Sequence, residues 1–299
     1  MFSGFLLIFL PLVIGYLIPV HSKKILHFIN VQTSRLVLLI LALMGLSLAG
    51  LDNLSQNLNQ ILLYTLTFFG CISTCNLLVL PMIDRFMPTA SDHKQHKLPI
   101  LHMMAESLKL VLVVAGGLLV GLLLNFDLSW VSQASEIILL LLLFFIGIQL
   151  RNSGMTLKQI VLNKKGATIA LVMIVTSFCG GVIAALLLDL PINHGLAMAS
   201  GFGWYSLAGI LIGDSLGGVL GGAALLNELL REMLALVLIP LLIQRYPNTA
   251  IGYAGATAMD FTLPVIQSSG GIRCVPVAIV SGFILSLLVP VLILFFVSL

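Results

Sequence analysis

The run CVPVAIVSGFILSLLVPVLILFFVS, residues 274–298, contains no Asp, Glu, Lys or Arg. A helix that spans a bilayer needs about 20 mostly apolar residues, so this run is long enough to cross a membrane. Seven further runs that are mostly apolar and of similar length precede it: 2–20, 34–51, 60–83, 107–125, 135–151, 166–188 and 219–244. The sequence therefore contains eight clear candidates for membrane-spanning helices.

The composition agrees with this membrane assignment. Only 8% of the 299 residues are charged and 60% are hydrophobic, whereas charged residues make up about 25% of a soluble domain. The mean hydropathy is +1.16. A soluble enzyme, a disordered chain and a nucleic-acid-binding protein are excluded, because no soluble domain of this length could hide so much apolar surface. We expect an all-α polytopic membrane protein embedded in a lipid bilayer.

Two further apolar stretches, 191–213 and 249–265, contain residues that interrupt helices near their middle. The first contains Gly201-Phe202-Gly203-Trp204-Tyr205 and the second Asp260-Phe261-Thr262-Leu263-Pro264. We expect both stretches to be discontinuous or re-entrant. If both cross the membrane the chain has ten spans, and if both are re-entrant it has eight. The sequence leaves both counts open.

The basic residues predict an orientation in the membrane. Eleven of the 14 Lys and Arg residues lie in or beside alternate connections: Lys23, Lys24, Arg35, Arg85, Lys94, Lys97, Lys109, Arg151, Lys158, Lys164 and Lys165. The intervening turns, around Asp52, Asp127 and Asp189, carry acids and no Lys or Arg. Because basic connections stay in the cytoplasm, we expect the N-terminus outside. Either span count then places the C-terminus outside as well.

A short internal similarity suggests a repeat. Met44-Gly45-Leu46-Ser47-Leu48 closes the second predicted helix, and Ile146-Gly147-Ile148-Gln149-Leu150 closes the fifth. The three-helix runs that contain them, 2–83 and 107–188, would have opposite orientations, which is typical of an inverted-topology repeat. We divide the chain into an N-terminal three-helix region, 1–103, and a C-terminal transport region, 104–299. Both belong to a single integrated domain.

The predicted helix 219–244 carries a polar face near its midpoint. Asn227, Glu228, Arg231 and Glu232 fall on one arc of the helix. We expect Glu228 to pair with Arg231 one turn on, and Asn227 to reach Arg231 across i,i+4. Glu232 is the acid that this pairing does not use, and it becomes a candidate for lining a cavity. A closed structural network of all four residues is the alternative.

Asp260 is a second acid within an apolar stretch. Pro264, four residues later, forces the backbone off the helix and releases carbonyl groups. Unwound backbone at membrane depth is tolerated only where it is buried or lines a cavity. We therefore interpret Asp260, with Thr262 in the same string, as a cation or proton site. The alternative is an N-cap or a partner for Arg273 at the interface.

The segment Ser200 to Ser206 is the third candidate. Gly201 and Gly203 allow the chain to unwind, and Trp204 and Tyr205 offer aromatic faces to a cation. Free backbone groups at half-helix ends suit the carboxylate and ammonium of an amino acid. An aromatic belt at the membrane interface is the alternative.

Known catalytic and metal-binding motifs are absent from the sequence. It contains no P-loop, H-E-x-x-H, G-x-S-x-G or Cys/His cluster. We therefore expect no enzymatic activity, no cofactor and no metal. Asp214 is interpreted as an interface residue. Our candidates for binding substrate or proton are Glu232, Asp260, Asn227, Glu228, Arg231, Gly201, Gly203, Trp204, Tyr205 and Thr262.

Carboxylates inside the membrane, broken segments and a repeat together favour a secondary transporter. Three strings strengthen this interpretation: LLLFFIGIQLRNSGMTLKQI at 141–160, ASGFGWYSL at 199–207 and MDFTLP at 259–264. With them the chain resembles the bacterial lysine exporter (LysO-type) family over essentially its whole length. The resemblance implies an inner-membrane exporter of L-lysine and its toxic analogue thialysine, with Glu232 and Asp260 as the functional acids. It also implies eight spans with both termini outside, or ten helices in the wider superfamily.

The predicted mechanism is lysine/proton antiport, in which Glu232 and Asp260 alternately hold the substrate ammonium and a proton. Lysine carries a net charge of about +1 at pH 7, so inward movement of one proton would cancel the cost of expelling it. Another cationic substrate, such as ornithine or a sodium ion, is an alternative. A channel or a sensor-like membrane protein is a further alternative. The expected partners are L-lysine, protons and lipid, and a homo-oligomer is compatible with the sequence.

Overall fold

The computed structural model describes residues 2–20, 22–49, 54–89, 91, 100–124, 129–152 and 163–299. Its α-helices are α1 (Phe2–Leu17), α2 (Lys23–Ala49), α3 (Leu54–Phe86), α4 (Ile100–Leu124), α5 (Ser129–Arg151), α6 (Lys164–Leu187), α7 (Ile192–Ala199), α8 (Tyr205–Leu216), α9 (Gly218–Leu242), α10 (Pro247–Ala254), α11 (Leu263–Gly270) and α12 (Val275–Val297). A 3-10 helix, Gly255–Met259, follows α10. The predicted connections around Asp52, Lys94, Lys97, Asp127 and Lys158 lie outside the described residues.

Each of the eight predicted spans is a helix: α1 to α6, α9 and α12. By length and apolar composition alone, four helices of the described ranges can cross a membrane: Lys23–Leu46, Asn57–Phe86, Lys164–Leu187 and Val275–Val297. Helix α9 is as long, but it carries charged residues at its centre. The described residues form helices and turns without a strand. The chain is therefore an all-α polytopic membrane protein, as predicted.

The helices of the two three-helix runs pair in a symmetric way. Helix α1 packs against α5, α2 against α4, and α3 against α6. Gly147 lies so close to α1 that a Cβ there would collide with the carbonyl of Leu12, and a Cβ on Gly45 would collide with that of Val114 in α4. Small residues allow this close approach of helices in membranes. Gly45 and Gly147 are the matching glycines of the two short strings, so the pairing has the symmetry that the predicted repeat requires.

Both irregular stretches are interrupted where the sequence predicts. After each interruption the chain turns back toward the end of the bundle from which it came. Helix α7 begins beside the end of α12, where Asn193 Nδ2 donates to the carbonyl of Phe296 at 3.4 Å. Helix α8 runs back antiparallel to α9, with Gly213 against Gly221. Both ends of α7–α8 thus lie at one end of the bundle, which we call the Asp189 end after the turn that follows α6.

The second broken segment reverses at the opposite end of the bundle, which we call the Arg85 end after the last turn of α3. Helix α10 begins there, because Asp84 accepts hydrogen bonds from the backbone N–H groups of Asn248 at 2.8 Å and Thr249 at 3.0 Å. Helix α11 ends there too, since the side chain of Gln244, just before α10, donates to the carbonyl of Ser269. The two hairpins therefore enter the bundle from opposite ends.

The tips of the two hairpins cross inside the bundle. The backbone N–H of Ala256 donates to the carbonyl of Phe202 at 2.8 Å. Gly255 has φ +65°, and a Cβ there would collide with the same carbonyl. Only glycine combines a positive φ with such an approach at low cost. This crossing sets the backbone around which the candidate site is built.

Candidate functional site

A buried polar network on α9 holds the first hairpin tip. Glu228 pairs with Arg231 through Oε2 and Nη1 at 2.9 Å, which confirms the predicted pair. Glu228 Oε2 also accepts a hydrogen bond from the backbone N–H of Gly203. Asn227 Nδ2 donates to Glu228 Oε1 at 2.9 Å, so Asn227 binds Glu228 where the prediction had it reach Arg231. Glu228 thereby joins a spanning helix to unwound backbone.

The glycines of the tip permit this contact. A Cβ on Gly201 would lie 2.7 Å from the Cγ and Cδ atoms of Glu228. Gly203 has φ +94° and Phe202 has φ +46°, so the chain passes through the left-handed region that favours glycine. The N–H of Trp204 closes the turn by donating to the carbonyl of Gly201 at 2.8 Å. Gly201 and Gly203 thus shape the tip and position Glu228.

Arg231 retains capacity to bind a further group. Its side chain is buried, with a relative exposure of 1%. Its Nε and Nη2 atoms make no hydrogen bond to the described part of the chain. Buried donors without partners are rare in folded proteins and call for an explanation.

Asp260 lies in a different environment, at the second hairpin tip. It follows the 3-10 helix and lines a hollow of about 360 Å³, together with Leu26, Asn30, Ile146, Gln149, Asn152, Trp204 and Met259. The side chain is exposed to this hollow, and its Oδ1 accepts the N–H of Phe261 at 2.5 Å. Because Leu26 lies in the first turn of α2 and Asn152 directly follows α5, the hollow extends toward the Arg85 end.

A second hollow of about 470 Å³ adjoins the first. The two share Asn30, Ile146, Gln149 and Trp204, and we call them together the Asp260 cavity. Gln149 Nε2 donates to Asn30 Oδ1 at 2.9 Å and to Thr33 Oγ1 at 3.0 Å. Ser34 and Ser206 also line it. The volume of each hollow falls within the range of about 300–1,000 Å³ that is typical of small-molecule sites.

The structure places seven of the ten predicted site residues in the Asp260 cavity or in the α9 network. Trp204 and Asp260 line the Asp260 cavity, and Trp204 lies there instead of at an end of the bundle. Asn227, Glu228, Arg231, Gly201 and Gly203 form the α9 network. Thr262 is fully buried, and its carbonyl accepts the N–H groups of Val265 and Ile266 at the start of α11.

Glu232 and Tyr205 lie outside the lining of the Asp260 cavity. Glu232 is buried in α9 with a relative exposure of 3%, and Tyr205 is the first residue of α8. Each makes an interaction within the protein. The described residues include no group of three or more His, Cys, Asp or Glu that could hold a metal ion.

Sequence reasoning did not identify the polar wall of the cavity. Asn30 and Thr33 lie in α2, which begins at Lys23, whereas the predicted span begins at 34. The prediction therefore placed them in a connection. Their i,i+3 spacing, continued by Ser34, was the available signal, because it puts three polar groups on one helix face. Gln149 lies in the repeat string, but its side chain is uncharged, so it was not selected as a candidate for the site.

Comparison with known proteins identifies the family. The family model "Lysine exporter LysO" matches residues 111–297. The "Lysine exporter LysO" of Escherichia coli K12 is 55% identical over 297 residues, which cover 99% of each chain. A Haemophilus influenzae protein, named as a candidate lysine exporter, is 45% identical over 195 residues, or 65% of this chain and 98% of its own. No solved structure matches. Because the family model matches more than half of the chain, including both broken segments, and the 55% identical relative covers nearly all of it, the chain belongs to the lysine exporter LysO family.

Proposed function

We propose that this protein exports L-lysine from the cytoplasm and that the Asp260 cavity is its substrate site. The observation that carries the proposal is the position of Asp260, an acid that lines the same cavity as Trp204 and several polar side chains, between two spanning helices and both hairpin tips. Membership of an exporter family supports a transport protein of the inner membrane, and we expect no enzymatic activity.

The lining of the cavity matches the groups of lysine. The Asp260 carboxylate can accept hydrogen bonds from an ammonium group, and such charge-assisted bonds are the stronger ones. The ring of Trp204 can attract the same cation through its face. The amides of Asn30 and Gln149 and the hydroxyl of Thr33 can bind the carboxylate and the α-amino group. Thialysine carries the same charged groups, so the site would export it too.

Energetics favour exchange with protons. Expelling one positive charge against an inside-negative potential costs about 2.3 kcal/mol per 100 mV. Inward movement of one proton per lysine removes this electrical cost and leaves the proton gradient to drive export. We assign the substrate ammonium to Asp260, which lines the cavity, and the proton to Glu232, which is an acid buried within the membrane on the helix that holds the hairpin tip.

The hairpins support a membrane topology of eight spans. Each broken segment begins and ends at the same end of the bundle, as a re-entrant segment must. The Arg85 end also carries Lys164 and Lys165, and Lys165 Nζ donates to the carbonyl of Pro88 at 2.6 Å. By the positive-inside rule this end is cytoplasmic. Both termini are then outside, and the Asp260 cavity faces the cytoplasm.

Purified protein in liposomes provides the test of the function. We expect the wild type to move protons only when lysine is supplied, as measured with a pH-sensitive dye and radiolabelled lysine. Loss of one charge-assisted contact is worth about 1.5–3 kcal/mol, so Asp260→Asn should slow lysine transport roughly tenfold to a hundredfold. Glu232→Gln should abolish proton flux. Asp189→Asn, which removes an acid in the exposed turn after α6, is the matched control.

Each result bears on a separate part of the proposal. Lysine efflux at the wild-type rate in Asp260→Asn would remove Asp260 from the substrate site. Lysine transport without proton flux would refute antiport, and lysine flux that requires sodium would replace the proton by that ion. Ornithine transport faster than lysine transport would change the substrate, and downhill flux without any uphill movement would indicate a channel.

A further inference from the structure

A second cavity lies at the other end of the helices that line the first one. It measures about 240 Å³ and is lined by α2, α5 and α8, through Ile40, Met44, Ser135, Ile210 and Asp214 among others. We call it the Asp214 cavity. It is smaller than either hollow of the Asp260 cavity, and its volume lies below the range of about 300–1,000 Å³ that is typical of small-molecule sites.

The lining residues occur in the same order on all three helices. On α2, residues 30–38 line the Asp260 cavity and Ile40 and Met44 line the Asp214 cavity. On α5 residues 142–149 line the first and residues 131–135 the second. On α8, Leu207 lines the Asp260 cavity and Ile210 lines the Asp214 cavity. The two cavities are therefore successive parts of one seam between these helices.

Only a thin apolar barrier separates the two cavities. At a rise of about 1.5 Å per residue, Leu207 and Ile210 are about 4.5 Å apart along α8. Leu142, Leu207 and Ile210 are all buried. A small movement of α8 against α2 and α5 would therefore be enough to connect or separate the cavities at this level.

The internal repeat relates the two cavities to each other. The register that aligns Gly45 with Gly147 also aligns Ile40 with Leu142, Met44 with Ile146 and Ser135 with Thr33. In every pair one residue lines the Asp214 cavity and its equivalent lines the Asp260 cavity. Repeats of opposite orientation commonly exchange shape to open a site first to one side and then to the other.

We propose that Asp214 is the cation-binding carboxylate of the outward-facing vestibule, the last site that the ammonium group of the substrate occupies before release. This rests on the proposed function. Asp214 lies in the last turn of α8, and Gly213 and Gly217 beside it also line the cavity. The C-terminal end of a helix carries partial negative charge, which adds to the carboxylate and favours a cation there. Sequence reasoning took Asp214 for an interface residue, because spacing alone does not show the cavity.

The first experiment tests the path and does not depend on the substrate. Ser34→Cys and Ser135→Cys are introduced separately into a variant whose four native cysteines are replaced by serine, and impermeant thiol reagents are applied to each side of oriented vesicles. We expect the two cysteines to react from opposite sides. Reaction of both from the same side, or of Ser135→Cys from neither side during transport, would overturn the two-vestibule path.

The second experiment tests Asp214 itself. External lysine should compete for the outward-facing site and inhibit export. Asp214→Asn is expected to raise the external lysine concentration for half-inhibition by about tenfold, the loss of one charge-assisted contact. The concentration for half-saturation from the cytoplasmic side should change far less. Asp189→Asn removes an acid from the same end, outside the cavity, and should leave both values unchanged.

The two proposals fail in different ways. A wild-type protein that moves no lysine contradicts the proposed function. A wild-type protein that exports lysine, with Asp214→Asn indistinguishable from Asp189→Asn in external inhibition, contradicts the role of Asp214 alone. Ser34→Cys should keep the same sidedness and rate of labelling in the Asp214→Asn background as without it, whereas a misfolded protein would lose both.

Discussion

Glu228 shows how a single side chain can hold broken backbone inside a membrane. Unwound backbone in an apolar medium leaves N–H groups without partners, and each costs free energy. Glu228 accepts the N–H of Gly203 and is itself neutralised by Arg231. The carboxylate is fully buried, so the arrangement depends on the ion pair remaining intact.

Removal of the Glu228 charge should destabilise the protein, because Arg231 would remain charged, buried and without its counter-ion. Breaking one side of a buried pair costs about 3–5 kcal/mol, so we expect Glu228→Gln to lower the thermal midpoint in detergent. Replacing both residues, as Glu228→Gln with Arg231→Gln, should recover part of the loss. A double variant less stable than Glu228→Gln would contradict this account.

Among the helices, α2 and α5 have two separate roles. Each uses one glycine to approach a partner: Gly45 faces α4, and Gly147 faces α1. The remaining faces of α2 and α5 meet each other and α8, where they line both cavities. Tight glycine contacts on the outer side thus keep α2 and α5 in position while their inner sides form the seam.

Neighbouring glycines in α4 provide a matched test of this packing. A Cβ on Gly117 would collide with the carbonyl of Ala42 in α2, whereas one on Gly116 would meet nothing within 4 Å. Gly117→Ala should therefore separate α2 from α4 and lower both stability and transport. Gly116→Ala should be neutral, or stabilising by about 0.5–1 kcal/mol, since alanine is the better helix former. Thermal unfolding of the two variants side by side measures the difference, and equal effects would refute the packing argument.

At the scale of the whole molecule, the two hairpins enter the helix bundle from opposite ends. Their tips meet through the hydrogen bond from Ala256 to Phe202. Asp84 fixes the beginning of the second hairpin with three hydrogen bonds to Asn248 and Thr249. Residues of both tips line the Asp260 cavity, whereas the Asp214 cavity lies beside the last turn of α8.

The side of the membrane on which Arg245 lies distinguishes eight spans from ten. Arg245 is exposed between α9 and α10. In the hairpin topology it lies on the same side as the Asp260 cavity. We expect Arg245→Cys and Ser34→Cys to react with impermeant reagents from the same side of oriented vesicles. Reaction from opposite sides would show that the broken segments cross the membrane, and the re-entrant topology would be wrong.

The sequence by itself determined the class of protein, the eight long helices, the positions of both interruptions and the pair of Glu228 with Arg231. These features depend on local composition and on spacing within one helix turn, which can be seen without a fold. The lysine exporter family also followed from the sequence, through its long strings. The number of membrane spans did not follow from the sequence, because the position of a single arginine, Arg245, is weak evidence about topology.

Only the tertiary structure brought Asp260, Trp204, Asn30 and Gln149 around one cavity and set Asp214 in a second. The contact of Gln149 with Asn30 joins residues 119 positions apart. Long membrane helices are apolar on nearly every side, so hydropathy does not show which face meets protein and which meets lipid. Which face is buried depends on close packing at glycines, where helix backbones come into contact, and on hydrogen bonds between the tips of the two hairpins.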